Sequence, residues 1–424
     1  MNSQIQQAGI GVRLVPRIVI FNVKYSPNLG DGIIAECLEH ALRDQLAEAK
    51  VLSIDVAGRR EWTAPRAART RAMQLRLLDA MPRGIRDIIV AGAIGQRLYR
   101  TLQPQWQADL KDADVVIFGG GQLIQDGDLN FPLKLAAAAR ECRRARLPIA
   151  IYGVGAARLT SRIGRILLSG LFESPSLAHV AARDLQSVSN LAAIGHSAVL
   201  CRDPGLLASQ LWPRPARMQR SRICVGLCIT HPAVLRHHST IKAEPGKMNA
   251  MATYKEIAIR LAKDGFDVLC FSNGAAEDQM AMSMLAEQLQ SSAEWGRHIN
   301  FAQRPRDPRD LAQLIADLDI VIAHRLHAAI VAFSYGVPAI GLRWDSKLDA
   351  FFESVHRSRY LADFDEAIVK TITSRVQVTL AEGNCEELRS QVLKEAYDGI
   401  KTLTEALLKA HQNSRALADN SVTR

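Results

Sequence analysis

The chain has 424 residues, 48% hydrophobic and 23% charged, with a net charge of +10. That balance suits a globular protein with two domains and a large core, and excludes disordered, fibrous and disulfide-stapled classes. No run of about 20 apolar residues occurs, and residues 1–15 have no apolar segment before a cleavage site, so neither membrane span nor signal peptide is expected.

The seven cysteines are scattered without a Cys-x-x-Cys pair. This predicts no metal site, no disulfide framework and a reducing, cytoplasmic setting. Basic residues, mostly arginine, cluster at Arg59–Arg86, Arg140–Arg146 and Arg214–Arg222. Two readings of this bias stand: genomic base composition, or attraction to anionic substrates or to the inner face of an anionic membrane. Aromatics make up only 5% and do not stud a basic motif, so nucleic acid is set aside as a partner.

In chain order, Pro16–Val23 reads as a strand ending in the loop Lys24–Asp31, before a helix with Ile33, Ile34, Cys37, Leu38, Ala41 and Leu42 at helical spacing. Asp31 reads either as the helix N-cap or, with Asn28, as a group at the end of a strand facing a cleft. Val51–Val56 is a second strand, and 64–112 an arginine-rich, mostly helical stretch. The strand Asp114–Phe118 runs into Gly119-Gly120-Gly121, where backbone must approach either a ligand or a neighbouring element. The spacing fits neither a dinucleotide fingerprint nor a P-loop, so no cofactor is expected. Helices at Leu133–Arg146 and Arg158–Phe172 flank the strand Pro148–Gly155, and strand–helix alternation continues from His179 through Asp203.

The Pro- and Arg-rich stretch 212–221 is the expected linker between an N-terminal domain, 1–211, and a second, 222–365. The pattern restarts there, with strands at Arg222–Ile229, Asp267–Phe271 and His298–Phe301. Helices are expected at Met248–Lys263, Glu277–Gln290 and Pro308–Ala316. A polar loop is expected at Thr230–Lys247, with His231, His237 and His238 on a solvated surface. A helical tail, 366–424, is expected as cover that crosses back. Together these predict an α/β fold of two doubly wound, Rossmann-like domains facing a central cleft. The segments 112–119 and 317–324, DADVVIFG and DLDIVIAH, echo each other at strand starts.

The richest stretch is Leu318–Lys347. A buried strand at Ile320–Ile322 meets a helix from about Arg325 to Tyr335, stopped by Gly336 and Pro338, and a second strand follows at Ala339–Leu342. Ligands bind at the carboxyl ends of strands in such folds, and a helix start carrying arginine is an anion site. Arg325 and His327 are therefore candidates to meet an anionic substrate. His324 reads as packing or a helix cap.

These residues resemble the polysaccharide pyruvyl transferase family. The resemblance rests on Asn28-Leu-Gly-Asp31, Phe118-Gly-Gly-Gly-Gln-Leu123, Tyr152-Gly-Val-Gly155, Arg183-Asp184 with Ser187, Asp203, Arg325-Leu-His327, Ser334-Tyr-Gly-Val-Pro338 and Lys347, spread over 16–350. It implies a GT-B-like fold and transfer of a pyruvate ketal from phosphoenolpyruvate to a sugar of a cell-surface or exopolysaccharide precursor, free or lipid-linked. The acceptor is expected on the N-terminal domain and the donor on the C-terminal one. In that chemistry Arg325 clamps phosphate or carboxylate bidentately, His327 delivers a proton and Lys347 offsets phosphate charge. Asp31 accepts a hydroxyl proton with Asp126 behind it. Asn28, Gly120, Gly121, Arg183 and Arg158 line the cleft. One rival is a sugar-nucleotide glycosyltransferase of the same architecture; the cationic loop Leu342–Lys347, where such enzymes carry acidic residues, speaks against it. The other is a non-catalytic family member, against which Arg325, His327 and Lys347 speak.

Overall fold

The computed structural model describes residues 16–62, 82–216, 220–238 and 249–422. The first half runs β1 (Arg17–Asn22), α1 (Leu29–Gln45), β2 (Lys50–Asp55), α2 (Arg83–Arg97) and α3 (Gln103–Leu110), the last two joined by a π-helical turn, Leu98–Leu102. It continues through β3 (Val115–Gly119), α4 (Asn130–Arg144), β4 (Ile149–Val154), α5 (Arg162–Phe172), β5 (Leu177–Ala182), α6 (Leu185–Ala192), β6 (Val199–Leu200) and α7 (Ala208–Leu211). The second half runs β7 (Cys224–Cys228), α8 (Pro232–His238), α9 (Ala250–Lys263), β8 (Asp267–Phe271), α10 (Ala276–Leu289), β9 (Ile299–Phe301) and α11 (Pro308–Ala316). Then come β10 (Ile320–Ala323), α12 (Leu326–Ser334), β11 (Ala339–Arg343), α13 (Ser346–Ser354), β12 (Leu361–Asp363), α14 (Glu366–Glu382) and α15 (Glu386–Val422).

Each half builds a six-stranded sheet, ordered β2-β1-β3-β4-β5-β6 and β12-β11-β10-β7-β8-β9. Every pairing is parallel. Both have the expected doubly wound form, because β-branched strands buried on both faces need helices above and below. The two echoed segments do the same job. Asp114 Oδ2 accepts from the first backbone N–H of β1 at 2.7 Å, and Asp319 Oδ2 from the first of β7 at 2.8 Å. Each aspartate thus ties the start of a central strand to its neighbour.

Three expectations change. The helix expected from Arg158 starts at Arg162, because Ser161 caps it by accepting from Gly164 N–H. The loop expected at Thr230–Lys247 contains α8, and His231 starts it: its Nδ1 accepts from Ala233 N–H at 3.1 Å, so it is no solvated surface group. Residues 239–248, and 64–81 of the arginine-rich stretch, lie outside the described residues, as do the side chains of His237 and His238. No helix among the described residues is long and apolar enough to cross a membrane. All seven cysteines are free, and only Cys385 is exposed.

The tail does cross back. Tyr397 of α15 donates to Asp44 at 2.5 Å, and Gln45 donates to the Tyr397 carbonyl at 3.1 Å. Gly399 makes room for Tyr152: a Cβ there would stand 2.7 Å from the phenol oxygen. One apolar cluster therefore draws on both halves, joining Ile33 and Leu38 of α1, Leu311 of α11, Val321 of β10, Ile330 of α12 and Leu403 of α15. The outer faces of the two sheets have separate cores.

Candidate active site

A cavity of about 560 Å³ lies between the carboxyl ends of the two sheets. The first turns of four helices face it: α1 with Asn28 and Asp31, α6 with Asp184, α12 with Arg325 and His327, and α13 with Asp345 and Lys347. Asp184 and Asp345 cap their own helices. The N-caps of α1 and α12, Asn28 and Arg325, make no side-chain cap bond; the first turn of α1 carries Asp31, whereas that of α12 has no acidic residue, so the α12 dipole faces the cavity without an internal anion.

His327 is buried, and Gly30 of α1 permits this: a Cβ on Gly30 would stand 2.7 Å from the ring's Nδ1. Its Nε2 lies 3.5 Å from Arg183 Nη1 and 3.8 Å from Asp203 Oδ2. Arg183 Nη1 in turn donates to Asp203 at 3.1 Å. Burial alone would raise the Asp203 carboxyl, but hydrogen bonding to His327 and the charge of Arg183 outweigh it and hold the group below its usual range. Histidine, arginine and carboxylate thus come from both halves of the chain. Asp203 stood in the sequence only as a matching residue. Its part here depends on contacts that no spacing reveals.

Arg325 lines the cavity but is not a free bidentate clamp. Its Nε and Nη2 donate to Asp278 Oδ2 at 2.9 and 2.5 Å, and Asp278, fully buried, also accepts from His231 N–H through Oδ1 at 2.9 Å. Burial opposes the guanidinium charge, yet Asp278 keeps its pKa above the ordinary value. One edge of Arg325 is therefore committed, and Nη1 is what remains for a ligand. Asp278, on the first turn of α10, went unnoticed in the sequence.

His324 is packing, one of its two expected roles. Its ring sits 4.4 Å from Phe364 and 5.7 Å from Tyr254, and neither nitrogen has a partner among the described residues. Burial, with the charge of Arg325, lowers its pKa to about 3. An unfolded histidine binds its proton near 6.5, so between these values the unfolded chain carries more protons and stability falls as pH falls. The shift corresponds to a loss of about 4–5 kcal/mol across the window. Unfolding midpoints measured between pH 7 and about pH 4 should show this acid limb, and His324→Leu should flatten it. An unchanged limb in that variant would reject the assignment.

Other expected site residues fare unevenly. Asn28, Asp31, Arg158, Arg183 and Lys347 all line the cavity. The helix begins at Leu29, so Asp31 is in its first turn and is not the N-cap. Asp126 is not a cavity group: its buried carboxylate accepts from the backbone N–H of Thr160 (2.8 Å) and of Ser161. It braces the start of α5. Gly120 and Gly121 adopt φ of +77° and +73°, the left-handed backbone of a tight turn, and Gly121 lies beside Val23 and Asp31. A Cβ on Gly120 would stand 2.7 Å from Ile34 of α1, so Gly120 admits a helix, not a ligand. The residues just after it, Gln122 and Gln125, reach the cavity instead, together with Asn273 and Trp344. The loop Leu342–Lys347 is less cationic toward the cavity than its composition implies, because Arg343 turns to Asp363 at 3.3 Å and Asp349 at 3.6 Å.

Several polar atoms of the lining residues are buried without partners: Asn28 Oδ1, Gln122 Oε1, Arg183 Nε and Asn273 Nδ2.

Among curated proteins, none matches the sequence. Solved structures match in fold. The Staphylococcus aureus MnaA–UDP co-structure is 12% identical with a TM-score of 0.51, covering 90% of this chain and 92% of that one. UDP-N-acetylglucosamine 2-epimerase from Rickettsia bellii is 12% identical with a TM-score of 0.51, covering 94% and 98%. The likeness is the GT-B arrangement of two Rossmann-like halves across a cleft. The family model for polysaccharide pyruvyl transferase matches residues 28–346, a span that opens at Asn28 in α1's cap and closes at the start of α13, enclosing Arg183, Arg325 and His327. Since that span is most of the chain and holds both walls of the cavity, the protein belongs to the polysaccharide pyruvyl transferase family.

Proposed function

We propose that the cavity transfers pyruvate from phosphoenolpyruvate to two hydroxyls of one sugar in a cell-surface or exopolysaccharide precursor, forming a cyclic ketal. The observation that carries this reading is the uncapped start of α12. There Arg325 and His327 share one cavity with Arg183 from the other half.

Phosphoenolpyruvate brings a phosphate and a carboxylate, which Arg183, Arg325 Nη1, Lys347 and the α12 N-terminus can receive. His327 delivers a proton to the methylene carbon, leaving C2 oxocarbenium-like. The first sugar hydroxyl adds to C2 and loses its proton to Asp31. The C2–O bond to phosphate then breaks, phosphate leaves with the electron pair, and the second hydroxyl closes the ring and loses its proton. Of the two protons released, one replaces that given by His327 and the other goes to phosphate. Asn28, Gln122 and Gln125, on the N-terminal wall, suit acceptor hydroxyls. The committed edge of Arg325 and the few acidic groups facing the cavity favour a small dianion over a nucleotide.

The test is phosphate release from phosphoenolpyruvate with a panel of β-galactosides, glucosides and N-acetylhexosamines, free and lipid-linked. Acceptor-dependent phosphate together with a ketal product is expected. Consumption of a sugar nucleotide, with no phosphate release from phosphoenolpyruvate by any acceptor, would reject the reading in favour of a glycosyltransferase.

A further inference from the structure

The first half carries a surface that the transfer reaction does not use. Along α2 the residues facing solvent are Ile85, Ile88 and Ile89, which are 52%, 75% and 46% exposed, and Tyr99 in the following π-turn is 79% exposed. On α5, Ile163 and Ile166 are 53% and 62% exposed. Positions 85, 88 and 89 form one helical stripe. Isolated exposed apolar residues need no explanation, but six bulky ones on two helices that both pack on α4, and on the π-turn that follows the first, do.

The two helices meet at one loop. Arg86 of α2 donates to the carbonyl of Gly127 at 3.0 Å. The adjacent Asp126 accepts from the backbone at the start of α5, and its Cβ stands 2.6 Å from where a Cβ on Gly164 would be. The same loop sends Gln122 and Gln125 into the cavity. The apolar surface thus borders the cavity mouth.

Its flanks are basic. Arg97, Arg100, Arg158, Arg162 and Arg165 are all exposed. Helix α5 has no acidic residue, and α2 with its π-turn has one, Asp87, whose Oδ1 is buried. Exposed isoleucines among arginines, with acids confined to Asp87, to Asp128 of the joining loop and to Glu173 past the end of α5, complement an anionic lipid surface. A second copy docked through the same patch would set arginines against arginines.

We infer that α2 and α5 form a docking surface for an anionic phospholipid bilayer, which brings the cavity mouth to the membrane. The inference does not depend on the donor, since binding is measured with neither donor nor acceptor present. The full chain should sediment with vesicles of phosphatidylglycerol and phosphatidylcholine but not with phosphatidylcholine alone, and rising salt should release it. The double variant Ile88→Glu/Ile166→Glu should lower the bound fraction about tenfold or more. Its circular dichroism and its turnover of a water-soluble acceptor should be unchanged, since neither residue lines the cavity. Equal sedimentation with neutral vesicles, binding that survives the double variant, or a dimer that the double variant dissolves would each overturn the proposal.

Discussion

Replacing His327 with glutamine should lower kcat for pyruvyl transfer about 10²-fold or more while leaving the fold in place. Glutamine keeps most of the ring's volume in the space that Gly30 leaves, so the loss reports proton delivery and not a cavity. The imidazole has two charged neighbours, Arg183 at 3.5 Å and Asp203 at 3.8 Å. Phosphate release under saturating donor and acceptor is the measurement. A His327→Gln enzyme with the parent kcat would remove His327 from the proton path and leave it a packing residue.

The second large effect is expected at Asp278. Asp278→Ala leaves the Arg325 guanidinium partly buried with no counter-charge and strips His231 N–H of its acceptor. Breaking a buried pair from one side typically costs about 3–5 kcal/mol. The variant should therefore unfold at a clearly lower denaturant midpoint and show a raised KM for phosphoenolpyruvate, because Arg325 is free to turn away. The double variant Asp278→Ala/Arg325→Met should regain much of the stability and none of the activity. If the two losses simply add in stability, the carboxylate is not holding the arginine.

The parts of this structure legible in the sequence are those governed by local pattern. Short apolar runs bounded by polar residues set Asp267–Phe271 and Ile320–Ala323, and the apolar spacing behind a capping aspartate set Pro308–Ala316. Arg325 and His327 were legible as a helix start because a strand precedes them and Gly336 and Pro338 close the helix behind them. What escaped is long-range. Asp278 lies 47 residues from Arg325, and Arg183 lies 144 from His327. Only the meeting of two sheets joins them. The triple glycine shows the same limit: close approach was readable, but not that the approaching group is Ile34. Asp126 looked like a cavity carboxylate because its loop reaches the cavity, yet the backbone of Thr160 and Ser161 claims it first.

The cluster that draws on both halves has a consequence for motion. Two domains joined by a polar contact swing freely about a hinge, whereas a large apolar contact resists. Here Ser334 at the end of α12 donates to the Leu206 carbonyl, Tyr335 donates to that of Trp212 at 2.5 Å, and Arg389 of α15 donates back to Ser334 at 2.7 Å. The helix that presents His327 at one end is welded to the opposite half at the other. A clamshell opening would tear that weld and the core beneath it. Substrate entry is then expected at the rim of the cavity, and the two halves, separate as sheets, should melt as one cooperative unit.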